Sequence, residues 1–266
     1  SSSNCRLILS EFILGFWVHV ILIFMQKTVP EVSVVILCYK AEKLASQFIS
    51  EMKKNLESEE LDYELVLVAN YHKHSLDKTP EIVRELANSD PRVTVVAKEK
   101  EGMMGWDMRS GLEAAYGKTV AVIDGDGQMP SSDVVKVYRA LMSGNFDMAK
   151  TYRTSRGDGI FRLMVSFIFN VIFKFMFPKV KITDTNSKPK IFTRRAYEKL
   201  RLTSDGWFID AEMIIQASHY NFKITEVPTV FHANEHRASF ICLKTIVEFM
   251  IDLARYRIYW WRTLLR

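Results

Sequence analysis

A chain of 266 residues with 48% hydrophobic and 25% charged side chains has globular composition and length enough to bury a full core as one domain, which excludes a disordered chain and a polytopic membrane protein. The net charge of +5 at pH 7 and a pI near 9.0 suit an anionic partner, and nucleotide diphosphates, nucleic acid and acidic lipid headgroups all qualify. Cys5, Cys38 and Cys242 are too few and too scattered for a disulfide framework or a thiolate metal site, and they fit a reducing compartment as structural thiols.

The first element is an apolar run over residues 7–25, with Arg6 before it and Lys27 after it. It approaches the roughly 20 residues that cross a bilayer. Ser10, Glu11 and His19 interrupt it, and no small-residue cleavage site follows. A membrane anchor, an interfacial helix and a helix packed on the domain are the open readings. We place this segment in residues 1–29, a catalytic domain in 30–240, and a basic amphipathic helix in 241–266.

After Pro30, residues 32–39 form an almost unbroken β-branched and apolar run, as a strand buried on both faces requires. A helix is expected over 41–56, a second strand over 63–69, then a polar loop over 70–79. Pro80 suits a helix start, so a helix is expected over 81–87 and a strand over 93–96. The next helix, 107–116, ends at Gly117 and precedes a strand over 119–123. Strand and helix alternating in this order predict an α/β, doubly wound, mostly parallel sheet. Ligands bind such sheets beyond the carboxyl ends of the strands, so Tyr39, Asn70 and Asp124 should line one crevice.

The strand ending at Ile123 runs directly into Asp124-Gly125-Asp126-Gly127-Gln128-Met129-Pro130. Two carboxylates and an amide oxygen at alternate positions of a turn can converge on one hard divalent cation. The plain alternative is a turn, since Asp and Gly are turn formers. An EF-hand is excluded because the further loop ligands and the terminal Glu are missing.

Asp124-x-Asp126-x-Gln128 after a buried strand resembles the metal motif of family-2 glycosyltransferases with the A-type, Rossmann-like fold, in particular the branch that makes dolichyl- and polyprenyl-phosphate sugars. Other segments agree in order. Lys100-Glu101-Gly102, Arg109-Ser110-Gly111 and Ala115-Tyr116-Gly117 resemble the segment before the metal strand, and Gly144 to Asp147 with Thr151-Tyr152-Arg153 the strand and basic loop after it. Asp184-Thr185-Asn186-Ser187-Lys188-Pro189-Lys190 resembles the acceptor loop, with Lys-Pro-Lys where many members carry Gly-Phe-Arg. Where many members have an Asp-Asp-Gly-Ser loop, this chain has Ala69-Asn70-Tyr71, and Lys40 replaces a common Asn.

The resemblance implies an inverting transfer from a nucleotide-diphosphate sugar, in the service of cell-envelope glycan synthesis, assisted by Mg²⁺ or Mn²⁺ on Asp124, Asp126 and Gln128. It places Tyr39, Glu42, Asn70, Arg109, Asp124 and Arg237 at the nucleotide sugar. Asp126 and Asp210 are then the catalytic carboxylates. A hydroxyl acceptor needs a general base, whereas a lipid phosphate is already anionic and needs cations to position it. Arg153, Arg162, Lys188 and Lys190 are the expected phosphate contacts, although any single arginine reads equally as a solvated charge. Arg156 and Arg162 border the apolar stretch 163–177, which resembles the family's interfacial helices.

In Asp205-Gly206-Trp207-Phe208-Ile209-Asp210-Ala211-Glu212 only one acid should face the crevice, and Asp210 is chosen; an ordinary acid at a helix start is the alternative. Zinc is not expected, because His72, His74, His232 and His236 lack Cys partners and an H-E-x-x-H spacing. The tail mixes Trp, Tyr and Arg at helical spacing, as a helix at a headgroup boundary would, with subunit docking as the alternative and no nucleic-acid module beside it. The expectation is a membrane-associated transferase with its catalytic domain facing the cytoplasm. Its rivals are a transferase acting on a glycan hydroxyl with Asp210 as base, and a catalytically silent nucleotide-sugar-binding subunit.

Overall fold

The computed structural model describes residues 28–156, 171–232 and 243–264. The segment 7–25, Arg162, Arg237 and most of the 163–177 stretch lie outside these residues.

A seven-stranded sheet forms the centre, in the order β3-β2-β1-β4-β6-β5-β7. Its first half is parallel. β1 (Val32–Leu37) lies between β2 (Tyr63–Val68) and β4 (Thr119–Asp124), and β3 (Val93–Val96) completes the edge. Every residue of β1 and β2 is buried, the condition that its unbroken apolar run anticipates.

Helices cover both faces. On one, α1 (Glu42–Glu57) buries Ala45, Phe48, Ile49, Met52 and Leu56, a stripe at helical spacing. It shares a core with α2 (Thr79–Asn88), α4 (Asp133–Met142) and the strand residues Val34, Ile36, Leu65 and Leu67. On the other face, α3 (Met104–Ala114) and α6 (Ile209–His219) pack with Val35, Val66 and Val122. Alternate strand residues thus feed two cores, following from the period of two along a strand. α7 (Leu243–Leu264) joins the second core through Leu253, with Phe249, Met250 and Tyr256 half-buried against it. Its Val247, Ile251 and Ile258 are exposed. No described helix is long and apolar enough to cross a membrane.

The second half of the sheet is where the order turns. β5 (Met148–Arg156) runs parallel to β7 (Ile224–Phe231), while β6 (Lys190–Thr193) lies antiparallel between β4 and β5. The short α5 (Arg194–Tyr197) follows β6, its first turn capped by the Thr193 side chain. β6 therefore hydrogen-bonds to the strand that ends in Asp124 and to the strand that carries Arg153.

Candidate active site at the carboxyl ends of β1 and β4

β4 delivers Asp124 to the sheet's edge, its side chain 33% exposed. Gly125 must follow because the chain passes so close to β1: a Cβ there would lie 2.9 Å from Ile36 Cγ2 and 3.2 Å from the Leu37 carbonyl. Gly127 takes φ +73°, a left-handed conformation that suits glycine. Between them, Asp126 Oδ1 accepts the Gln128 N–H at 3.1 Å. Gln128 is stapled to the end of β7: the His232 N–H donates to its carbonyl at 2.8 Å, and its Nε2 donates to the His232 carbonyl at 3.3 Å.

Beside the turn stands Lys188. Its ammonium donates to both oxygens of Asp124 at 3.1 Å and lies 3.3 Å from Asp210 Oδ2. Asp210 is buried in the first turn of α6 and also pairs with Lys190. Burial pushes the Asp210 carboxyl up, but Lys188 and Lys190 outweigh it and hold the group below its ordinary value. Lys190 is 0% exposed, and burial pulls its ammonium down to about 8 against the attraction of Asp210. Burial also acts against the Lys188 ammonium, yet Asp124 and Asp210 raise it above the usual lysine range.

The charge ladder continues across β5. Arg153 clamps Asp184 with Nε at 2.6 Å and Nη2 at 2.8 Å, the bidentate geometry that favours arginine. Lys150, fully buried, reaches Glu226 at 3.3 Å and the carbonyls of Thr151 and Asp184. Burial lowers its pKa. Lys188, Lys190 and Arg153, expected at an acceptor phosphate, are all held by carboxylates, because a cation taken out of water must find an anion. Lys190 in particular is enclosed and serves Asp210.

Tyr39 lies in the turn two residues beyond β1, with the Lys100 ammonium 4.4 Å from its ring centroid and His72 edge-on at 6.1 Å. Glu42 opens α1 with an exposed side chain, and its N–H donates to Thr79 Oγ1 at 3.0 Å. Asn70 is 0% exposed; its Nδ2 donates to Asp107 Oδ1 at 2.9 Å and Ser110 Oγ at 3.1 Å, and its Oδ1 accepts the Lys98 N–H at 2.9 Å. Its amide therefore braces the crevice wall. Asp107, buried and paired with Lys100, has its carboxyl pushed up by burial.

Arg109 turns toward the chain before α6, donating to Asp205 Oδ1 at 2.6 Å and the Thr203 carbonyl at 3.1 Å. That segment is organised by Glu212, the other acid of the first turn of α6. Glu212 accepts the N–H groups of Thr203 at 3.1 Å and Ser204 at 2.9 Å, and the Thr203 hydroxyl at 2.9 Å. In turn the Asp205 carbonyl accepts Met103 N–H at 2.8 Å and Trp106 N–H at 3.2 Å, and the Gly206 carbonyl accepts Gly105 N–H at 3.0 Å. The two acids thus divide: Asp210 faces the lysines, Glu212 the loop.

Among the described residues, no three His, Cys, Asp or Glu side chains gather into a metal cage. Asp124 and Asp126 place two carboxylates on one turn at the mouth of the crevice, a donor set that fits a hard divalent ion completing its shell with phosphate oxygens and water. Lys150, Asp107 and Glu226 are site residues that sequence reasoning did not single out. A lysine within the otherwise uncharged run Met148-Ala149-Lys150-Thr151 is the signal for the first, since a buried ammonium demands a partner.

The parallel half-sheet, the crevice at its carboxyl end and the Asp-x-Asp turn define the A-type glycosyltransferase fold. Glucosyl-3-phosphoglycerate synthase of Mycobacterium tuberculosis, crystallised with uridine diphosphate, matches it with TM-score 0.67 at 18% identity, over 86% of this chain and 80% of that one. The same enzyme with Mn²⁺, UDP-glucose and phosphoglyceric acid matches with TM-score 0.61 at 16% identity, over 86% and 79%. The chain belongs to glycosyl transferase family 2, whose family model it matches over residues 33–201. A low-salt glycan biosynthesis hexosyltransferase of Haloferax volcanii is 27% identical over 216 residues, 79% of this chain and 50% of the relative. An undecaprenyl-phosphate 4-deoxy-4-formamido-L-arabinose transferase of Edwardsiella ictaluri is 26% identical over 234 residues, 85% of this chain and 68% of the relative. The chain thus spans half the length of the first of these relatives.

Proposed function

We propose that this chain transfers a sugar from a nucleotide-diphosphate sugar to a polyprenyl phosphate at a membrane surface. One observation carries the choice of acceptor: Asp210, the carboxylate facing the Asp-x-Asp turn, is clamped by Lys188 and Lys190 and held ionised. A carboxylate so stabilised is a poor proton acceptor, and a hydroxyl acceptor needs a good one. A phosphate acceptor needs none. The relative named for undecaprenyl phosphate supports the same reading.

Asp124 and Asp126 would hold Mg²⁺ or Mn²⁺, which when bound supplies positive charge to the departing diphosphate. An oxygen of the acceptor phosphate attacks the anomeric carbon, and the bond from that carbon to the diphosphate breaks, its electron pair leaving with the nucleoside diphosphate. Tyr39 offers a ring face to the base, and Lys100 sets the cationic side of that pocket. Asp210 and its lysines act by position, fixing the acceptor side of the crevice at a set distance from Asp124. The apolar segment 7–25, the 163–177 stretch and the exposed residues of α7 bring the domain to the lipid.

The test is transfer from a panel of nucleotide sugars with Mn²⁺, with and without polyprenyl phosphate, beside Asp126→Ala. Turnover that requires lipid phosphate and falls by about 100-fold or more in the variant is expected. Turnover with a glycan alone would move the assignment to a hydroxyl acceptor, and absence of donor binding would indicate a silent subunit.

A further inference from the structure

Lys188 stands where an Asp-x-Asp turn needs room for an ion. Its ammonium is equidistant, at 3.1 Å, from both oxygens of Asp124, so neither oxygen lies outside its reach. We infer that Lys188 is a resident counter-ion of Asp124: a divalent ion taking this carboxylate must compete with the ammonium, and Lys188 thereby sets the site's affinity for the ion. The inference rests on the reading that Asp124 and Asp126 are the metal's ligands.

Three features make the displacement short and directed. The lysine side chain is only 3% exposed, so it cannot swing into water to escape a neighbouring cation. Its backbone is pinned, since Thr151 Oγ1 donates to the Lys188 carbonyl at 2.7 Å and sits 2.6 Å from Ser187 Oγ. A second carboxylate is already in reach, Asp210 at 3.3 Å. An ion arriving at Asp124 would leave the ammonium to Asp210, which Lys190 also contacts. The donor-side ion and the acceptor-side carboxylate are then coupled through one side chain, because each competes for the same ammonium. Lysine at this place does what neither a glycine nor a neutral side chain could.

The experiment uses the full chain with UDP and titrates Mn²⁺, following free Mn²⁺ by its electron paramagnetic resonance signal. Removing the like charge in Lys188→Met or Lys188→Gln should tighten Mn²⁺ binding roughly tenfold or more, while Lys188→Arg stays within about threefold of the parent. Asp210→Asn should weaken it by about threefold or more, because Lys188 loses its second partner and presses harder on Asp124. Lys188→Gln is one bond shorter but keeps a donor, and gives the reading if Lys188→Met does not fold. Neutral variants that bind Mn²⁺ no more tightly than the parent overturn the inference alone. A parent that binds no Mn²⁺ removes the metal reading, and the inference falls with it.

Discussion

Glu212→Ala should loosen the loop that joins the two sides of the crevice and cost the fold about 2–4 kcal/mol. The carboxylate is 0% exposed and accepts two backbone N–H groups and one hydroxyl from Thr203 and Ser204. A buried donor left without an acceptor costs about 1–3 kcal/mol, and the lost methylenes add about 1 kcal/mol of packing. Thr203 is otherwise exposed, so water recovers part of its bonding and the lower half of the range applies. Burial raises the Glu212 carboxyl pKa, although the N–H groups of Ser204 and Thr203 pull against it; removing a penalised charge trims the loss further. Glu212→Gln keeps one acceptor oxygen and should cost about 1 kcal/mol. Urea unfolding followed by circular dichroism measures both. The loop also holds the Met103, Gly105 and Trp106 N–H groups, so their hydrogen exchange should quicken in the alanine variant. The sign with pH follows from the raised carboxyl. The folded state keeps its proton above the ordinary 4.5, so this group's contribution to stability falls as pH rises through that window. Parent minus Glu212→Gln should therefore be larger at about pH 4 than at about pH 7. An alanine variant within about 1 kcal/mol of the parent, with unchanged exchange at α3, would refute the role assigned to Glu212.

Gly125→Ala forces a methyl against Ile36 Cγ2 at 2.9 Å and the Leu37 carbonyl at 3.2 Å; a loss of about 1–3 kcal/mol is expected in urea unfolding, with weaker Mn²⁺ binding as the turn shifts. Lys190→Met bears on alkaline stability. The folded ammonium deprotonates near 8, against 10.5 ordinarily, so between those values the unfolded chain binds more protons and stability from this group rises with pH. The parent should gain on Lys190→Met between about pH 7.5 and about pH 9.5, and a flat difference would contradict the burial assigned to Lys190.

The parallel half of the sheet was legible because its signals are local. The run at 32–39 contains β1, and the run at 63–69 contains β2. The expected helix at 107–116 begins three residues earlier, at Met104, because its first N–H groups find the carbonyls of Asp205 and Gly206 about a hundred residues away. It stops at Ala114 because Glu64 Oε1 takes the Tyr116 N–H at 2.7 Å. β6 is not anticipated by the sequence: a four-residue strand beginning at Lys190, just after Lys188-Pro189, is too short for an alternating pattern to announce it. What makes it a strand is backbone pairing to β4 on one side and β5 on the other, with Asp210 of α6 taking the charge of its first residue. The Asp-x-Asp turn was legible as a pair of neighbours; Lys188 was named only as a phosphate contact, and its place beside Asp124 and Asp210 was not legible, since tertiary structure alone brings residues 124, 188 and 210 together.

β6 has four residues, yet among the described residues it is the strand that joins the two halves of the sheet, bonded to β4 on one side and β5 on the other. The two halves are therefore not separable cassettes. A chimera that joined residues before β5 to the later half of another family member would replace Lys188 and, where that member carries Gly-Phe-Arg, leave Asp124 without its ammonium. Recombination or domain grafting in this chain should succeed only where the crossover carries Lys188, Lys190, Asp124 and Asp210 as one inheritance, because Lys188 bridges a carboxylate from each half.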